Sequence, residues 1–190
     1  LMESDDPSQA YSYVIDYGVV RDFSEGDLIT TGNPLDLAIS GEGFFVVETD
    51  QGLRYTRDGN FTLDETGTLV TKAGHAVLDD GGGEITFVPE DGAISISRDG
   101  TIAVEFGEAE FGRIQVVTFE NLTALKKGGE GLYISKEAPD EPEIVNIVSG
   151  MIESSNVSAV VEMARMVELM RAYQAAARLL QSDHDLQRDA

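Results

Sequence analysis

The chain has 190 residues, 42% of them hydrophobic and 5 of them proline, so it can build one good core with an appendage and is too apolar to be disordered over most of its length. Its formal net charge of -22 is unevenly placed, with 29 acids against 9 bases before Gly150 is passed and 6 against 4 after it. An acidic body of this kind is a poor partner for nucleic acid or an anionic membrane, which need clustered Lys and Arg, and the absence of cysteine excludes disulfides, thiol catalysis and thiolate metal sites.

The opening stretch, LMESDDPSQ, has no Met at position 1 and no charged-then-apolar leader, as expected of a piece of a longer protein. Nor does any apolar run approach the roughly 20 residues of a membrane span. Residues 1–29 read as an extended linker that joins a β-domain over 30–134. From Asp16 to about Ile134 the sequence is cut repeatedly by turn signals: SEGD, SGEG, TDQG, RDG, DETG, KAG, DDGGG, PEDG and SRDG. Strands are expected between them at residues 44–48, 60–64, 68–71, 84–88, 93–97, 101–106 and 113–119, which carry the β-branched and aromatic residues that strands favour. Several alternate apolar with polar, which predicts one buried and one wet face. RDGNFTL at Arg57 and RDGTIAV at Arg98 share one form, a charged pair and a Gly free to take positive φ before an alternating strand, which is the hairpin sign of an antiparallel meander.

Residues 135–154 hold two prolines and four acids in SKEAPDEPEIV and read as an extended connection out of the β-domain. Over 155–190 the pattern then changes to one long helix, from Ser155 to about Gln181, and a tail. Ser155, Asn156 and Ser158 are candidate caps, and Glu153 with Asn156 is expected to serve capping and set the angle at which the helix starts. The apolar positions form two seams, Val160, Met163, Val167, Met170 and Ala177 on one and Met166, Leu169, Tyr173, Ala176 and Leu180 on the other. That face is wider than a two-stranded coiled coil needs and expects neighbours on two sides. The fold class is thus mainly β, an antiparallel β-domain of many short strands plus one long C-terminal α-helix, with residues 1–150 expected to fold without the helix.

Signs of catalysis or of a cofactor are weak. His75 and His184, the only histidines, read as a turn residue and a solvated tail residue rather than a metal pair. Asp79, Asp80 and Glu84 in DDGGGE lack the alternating acids of an EF-hand loop and read as a glycine turn. The other carboxylates cluster in turns beside Gly, and with no Trp there is no strong sugar-stacking platform. Neither an enzyme nor a metal or other cofactor is expected.

Two stretches carry a family resemblance. TTGNPLDLAISGEGFFVVETDQGLRYTRDGNFTLDETGTLVTKAGHAVL (Thr30 to Leu78) resembles the middle segment of the bacterial flagellar basal-body rod and hook proteins, and GMIESSNVSAVVEMARMVELMRAYQAAARLLQ (Gly150 to Gln181) resembles their C-terminal motif. TGNPLDLAI, DDGGGEITF and GRIQVVTFENLTALKKGGEGLY are most similar to the proximal-rod members, with the distal-rod members as near competitors. The resemblance implies an Asn- and Ala-rich helix before Leu1, about 50 to 60 residues with its linker. It also implies a structural subunit of the rod, whose partners are other rod subunits and copies of itself, packed through terminal helices into the tube that drives motility. The place implied is the basal body across the periplasm, reached by flagellar export without a cleaved signal peptide. The expected contact residues are those of the two seams, with Arg165 and Arg171 making charge contacts to neighbours. The rival reading is a secreted β-domain that binds a ligand or saccharide in an acidic cleft, its helix folded back upon it.

Overall fold

A computed structural model describes residues 23–88, 92–106 and 112–188, with residues 179, 180 and 182–188 described by backbone alone. The expectations for residues 1–22 of the linker, for residues 89–91 of the PEDG turn, for the side chains of Leu180 and His184 and for the tail residues 189–190 lie outside the described residues. In chain order the strands are β1 (Leu28–Thr30), β2 (Leu37–Ile39), β3 (Phe44–Thr49), β4 (Gly52–Thr56), β5 (Phe61–Leu63), β6 (Leu69–Thr71), β7 (Ala76–Val77), β8 (Ile94–Ile96), β9 (Ile102–Val104), β10 (Val116–Val117), β11 (Lys126–Lys127), β12 (Tyr133–Ile134), β13 (Ile147–Ser149) and β14 (Met151–Glu153), followed by helix α1 (Ala159–Arg188). The main sheet runs β11-β12-β4-β3-β7-β6-β5 with β10 also on β3, and three two-stranded pairs, β1 with β14, β13 with β2 and β8 with β9, complete the fold. Every strand pairing among the described residues is antiparallel.

Strand β3 organises the core. Its Phe44-Phe45-Val46-Val47 is a continuous apolar run rather than an alternation, and all four side chains are buried, as a strand covered on both faces requires. Phe45 and Val47 enter a larger core with Leu37, Leu69, Val77 and Ile147. Phe44 and Val46 enter a smaller one with Tyr55, Phe119 and Leu125, where the Tyr55 and Phe119 rings meet edge to face at 4.8 Å. The expected single wet face holds for β5 and β9, whose Thr62 and Ala103 are exposed between covered neighbours. It fails for β3.

The two RDG stretches do different work. The second turns the β8–β9 hairpin as expected, and its Gly100 takes φ +84°. The first joins β4 to β5, which are not neighbours in the sheet, and its Gly59 is demanded by close approach, because a Cβ there would stand 1.7 Å from the Leu37 carbonyl oxygen. The strand expected at 84–88 is a set of isolated bridges, Glu84 to Leu78 and Thr86 to Thr68. It changes partner within two residues, so no ladder forms, although Ile85 and Phe87 are buried.

The stretch 135–154, expected as an extended connection, carries paired backbone. Asp140 and Thr118 exchange backbone hydrogen bonds, β13 buries Ile147 against β2, and β14 pairs with β1. The acids and prolines at its start lie on mostly exposed chain that makes one isolated bridge, at Asp140, whereas its strands are formed by the apolar residues after Glu143.

Candidate assembly surface

The chain enters and leaves the β-body side by side. Leu28, Ile29 and Thr30 stand opposite Glu153, Ile152 and Met151, and at the base the Thr31 and Gly32 amides donate to the Gly150 carbonyl at 2.8 and 3.1 Å. Gly150, at φ +76°, turns the chain from the β13–β2 pairing into the β14–β1 ribbon. Near the helix the Ser154 amide donates to the Asp27 carbonyl at 2.8 Å. Gly26 lies so close there that a Cβ would stand 1.8 Å from the Ser154 carbonyl oxygen.

Of the residues expected to cap the helix, Ser158 stands at the N-cap position, whereas Glu153, Asn156 and Ser155 are engaged elsewhere. Glu153 accepts the Gly26 amide on Oε1 at 2.9 Å and Arg57 Nε on Oε2 at 2.8 Å, so its capping role is corrected to a tie between strands. Asn156 donates through Nδ2 to the carbonyl and hydroxyl of Ser24 at 3.0 and 3.2 Å. Ser155 Oγ accepts the Val157 amide in a local turn. The first helical bond runs from the Glu162 amide to the Ser158 carbonyl at 3.0 Å, which is why α1 starts at Ala159 and not Ser155. At its far end it runs through to Arg188 rather than stopping near Gln181, since no Gly or Pro interrupts residues 182–188.

Arg57 is the residue that sequence reasoning missed. Besides Glu153, its guanidinium donates to the carbonyls of Gly41 and Gly43 at 3.2 and 3.1 Å and lies 6.0 Å from the centre of the Phe44 ring. Nothing in the sequence marked it, because its RDG reads there as a hairpin turn.

Helix α1 has 30 residues, about 45 Å at 1.5 Å per residue. Of the seam residues, Val160, Met163, Met166, Val167, Leu169, Met170, Tyr173, Ala176 and Ala177 are all exposed, Val160 to 74% and Tyr173 to 76%. Arg165 pairs with Glu162 one turn back at 2.6 Å, and Arg171 is exposed. No described helix is apolar enough to cross a membrane.

The polar motifs set aside earlier have local partners. His75 Nε2 lies 3.0 Å from Glu130 Oε2, Asp79 Oδ1 accepts the amides of Gly81 and Gly83 at 2.9 and 2.7 Å, and Asp80 pairs with Arg113. A groove of about 630 Å³ beside the ribbon is lined by Phe23, Arg57, Asp58, Lys127 and Tyr133 among others, so it presents both signs of charge.

A β-body that pins its incoming and outgoing strands together and carries a long helix whose apolar seams are uncovered has the build of a structural subunit. Comparison with known proteins narrows the class. Residues 38–104 match the family model for the flagellar hook protein FlgE/F/G D1 domain, and residues 148–190 match that for the flagellar basal body rod FlgEFG protein C-terminal. The chain is 41% identical to the flagellar basal-body rod protein FlgF of Caulobacter vibrioides, over 97% of this chain and 76% of that one. It is 35% identical to the FlgG of Bacillus subtilis over 83% of this chain and 64% of that one, and 33% identical to the FlgF of Rhizobium meliloti over 89% and 70%. The chain belongs to the flagellar hook and basal-body rod protein family, as a structural subunit of the rod.

Proposed function

We propose that α1 is the element through which this subunit enters the proximal rod, packing on both seams against helices of neighbouring rod subunits and of its own copies to build the tubular drive shaft. The observation that supports this is the exposure of Val160, Met163, Met166, Val167, Leu169, Met170 and Tyr173 along one helix. At about 1.5 to 3 kcal/mol per fully buried large apolar side chain, covering them stabilises the assembly by more than about 10 kcal/mol. In this reading the acidic β-body faces outward, the subunit works by packing and not by catalysis, and it takes its place across the periplasm after export without a cleaved signal peptide. The ligand-binding alternative expected a docked helix and an acidic cleft; the helix face is exposed and the groove is of mixed charge.

Met170→Asp tests the reading. An aspartate in a helix interface is a buried charge without a partner, so cells supplied only with this variant should export it normally, fail to complete rods and not swim. Gln51→Asp, at an exposed turn of the β-body, should swim. Normal swimming of Met170→Asp cells would defeat the assembly role of α1.

A further inference from the structure

We infer that Arg57 and Glu153 form a latch that fixes the direction in which the chain leaves the β-body, and with it the angle between the β-body and α1. The β1–β14 ribbon stands apart from the main sheet, and a two-stranded ribbon is marginal by itself in water. All of β1 is exposed. The ribbon is tethered at its base, where Gly150 and Met151 donate to the Asp36 carbonyl, and a tether at one end leaves it free to swing.

Among the described residues the other end is held by the Phe23 ring, packed on Phe44 and Tyr133 at 5.9 and 5.5 Å, by the Glu25 carboxylate, which accepts the Gly41 amide, and by the Glu153 carboxylate, which binds Arg57. The ring contact is not directional and the Glu25 contact is exposed, which leaves the Glu153 pair as the one that is both directional and largely covered. Glu153 gathers both ribbon strands, its own and that of Gly26, while Arg57 carries the tie into the turn before β3 through the Gly41 and Gly43 carbonyls. The side chains of Arg57 and Glu153 are only 15% and 12% exposed, so removing either leaves the other's charge poorly hydrated and the arrangement lost. The two stretches that carry the family resemblance, YTRDGNF and GMIESSNV, thus meet at one ion pair.

The consequence for the rod rests on the assembly reading, since subunits packed by their helices into one tube must hold their β-bodies at one angle. The latch itself does not. It is tested on the isolated full chain, at a dilution that keeps it monomeric, with spin labels on Gln51→Cys and Ser158→Cys; no native cysteine interferes. One narrow distance distribution is expected. Arg57→Ala should broaden it roughly twofold, as release of a locally held segment does. Glu153→Gln keeps an acceptor for the Gly26 amide but withdraws the anionic oxygen from Arg57, and should broaden it likewise. The two together should broaden it no further than either alone, the mark of a coupled pair, and Arg165→Ala, an exposed pair within α1, should leave it unchanged. Unchanged widths in both single variants, with the β-body still melting cooperatively, would overturn the latch. So would loss of cooperative melting in both, which would make the pair part of the core. Neither result bears on the Met170→Asp experiment, so the two readings fail separately.

Discussion

Single residues here are chosen by what the backbone around them must do. Gly59 and Gly52 look alike in sequence, yet Gly59 lies under a carbonyl whereas Gly52, at φ +95°, faces open space. Gly59→Ala should therefore cost more than about 3 kcal/mol, because backbone must move, and Gly52→Ala about 1 kcal/mol for its positive φ; denaturant midpoints of the two variants measure the difference. Asp99 is a second case. Its carboxylate accepts hydrogen bonds first from the Ser97 hydroxyl, then from the Thr101 hydroxyl and amide, which holds its pKa down to about 2. A depressed carboxyl pKa stabilises the β8–β9 hairpin fully above the ordinary value of about 3.9, and that contribution fades as pH falls through the folded value. A carboxyl-carbon titration by NMR should show a midpoint near 2, moved upward by Thr101→Val; an ordinary midpoint in the parent chain would remove the turn from any account of acid stability.

At the scale of elements, β3 and α1 are opposites. Strand β3 buries the apolar run Phe44 to Val47 on both faces, whereas α1 carries its apolar seams uncovered along the described side chains. A 30-residue helix without tertiary cover depends on its own propensity. Its freedom from Gly and Pro and the Glu162 carboxylate in its first turn favour it, whereas the exposed Arg165–Glu162 pair adds little. In the dilute isolated chain, amides of α1 should exchange with solvent at least about a hundredfold faster than those of Val46 and Val47, because local opening of α1 exposes no core. Equal protection by mass-spectrometric exchange would mean that the helix is covered in the free chain. Much of this was legible beforehand: 3.6-residue periodicity marks α1 wherever it packs, and turn residues marked most strand ends. The short strands of 144–153 were not, because their pairing is with β1 and β2 more than a hundred residues away.

The pairing of β14 with β1 predicts a division of the whole molecule after the ribbon rather than at Gly150. A chain ending at Ser158 keeps β14, the Glu153 tie and both cores, so its melting temperature should match that of the full chain within a few degrees. One ending at Gly150 strands β1 and leaves Arg57 without its carboxylate, and should melt about 5 °C or more lower. Scanning calorimetry on the two truncations decides whether the ribbon belongs to the β-body. Equal melting temperatures would make it part of the helix arm instead.

Composition and period alone determined that this is an acidic, cysteine-free β-domain followed by a long helix with too much apolar surface, since those properties depend on residue type and spacing along the chain. The family, too, was legible in two local stretches. That Arg57 of one stretch meets Glu153 of the other, and that the helix face is left uncovered, were decided only by the tertiary structure. The physical reason is separation: hydrogen bonds and burial between residues 57 and 153 depend on how the strands between them pair, and neither periodicity nor propensity carries information over that distance. Arg57 reads as half of a turn signal until β14 arrives beside it, where it becomes the residue that ties the helix arm to the body.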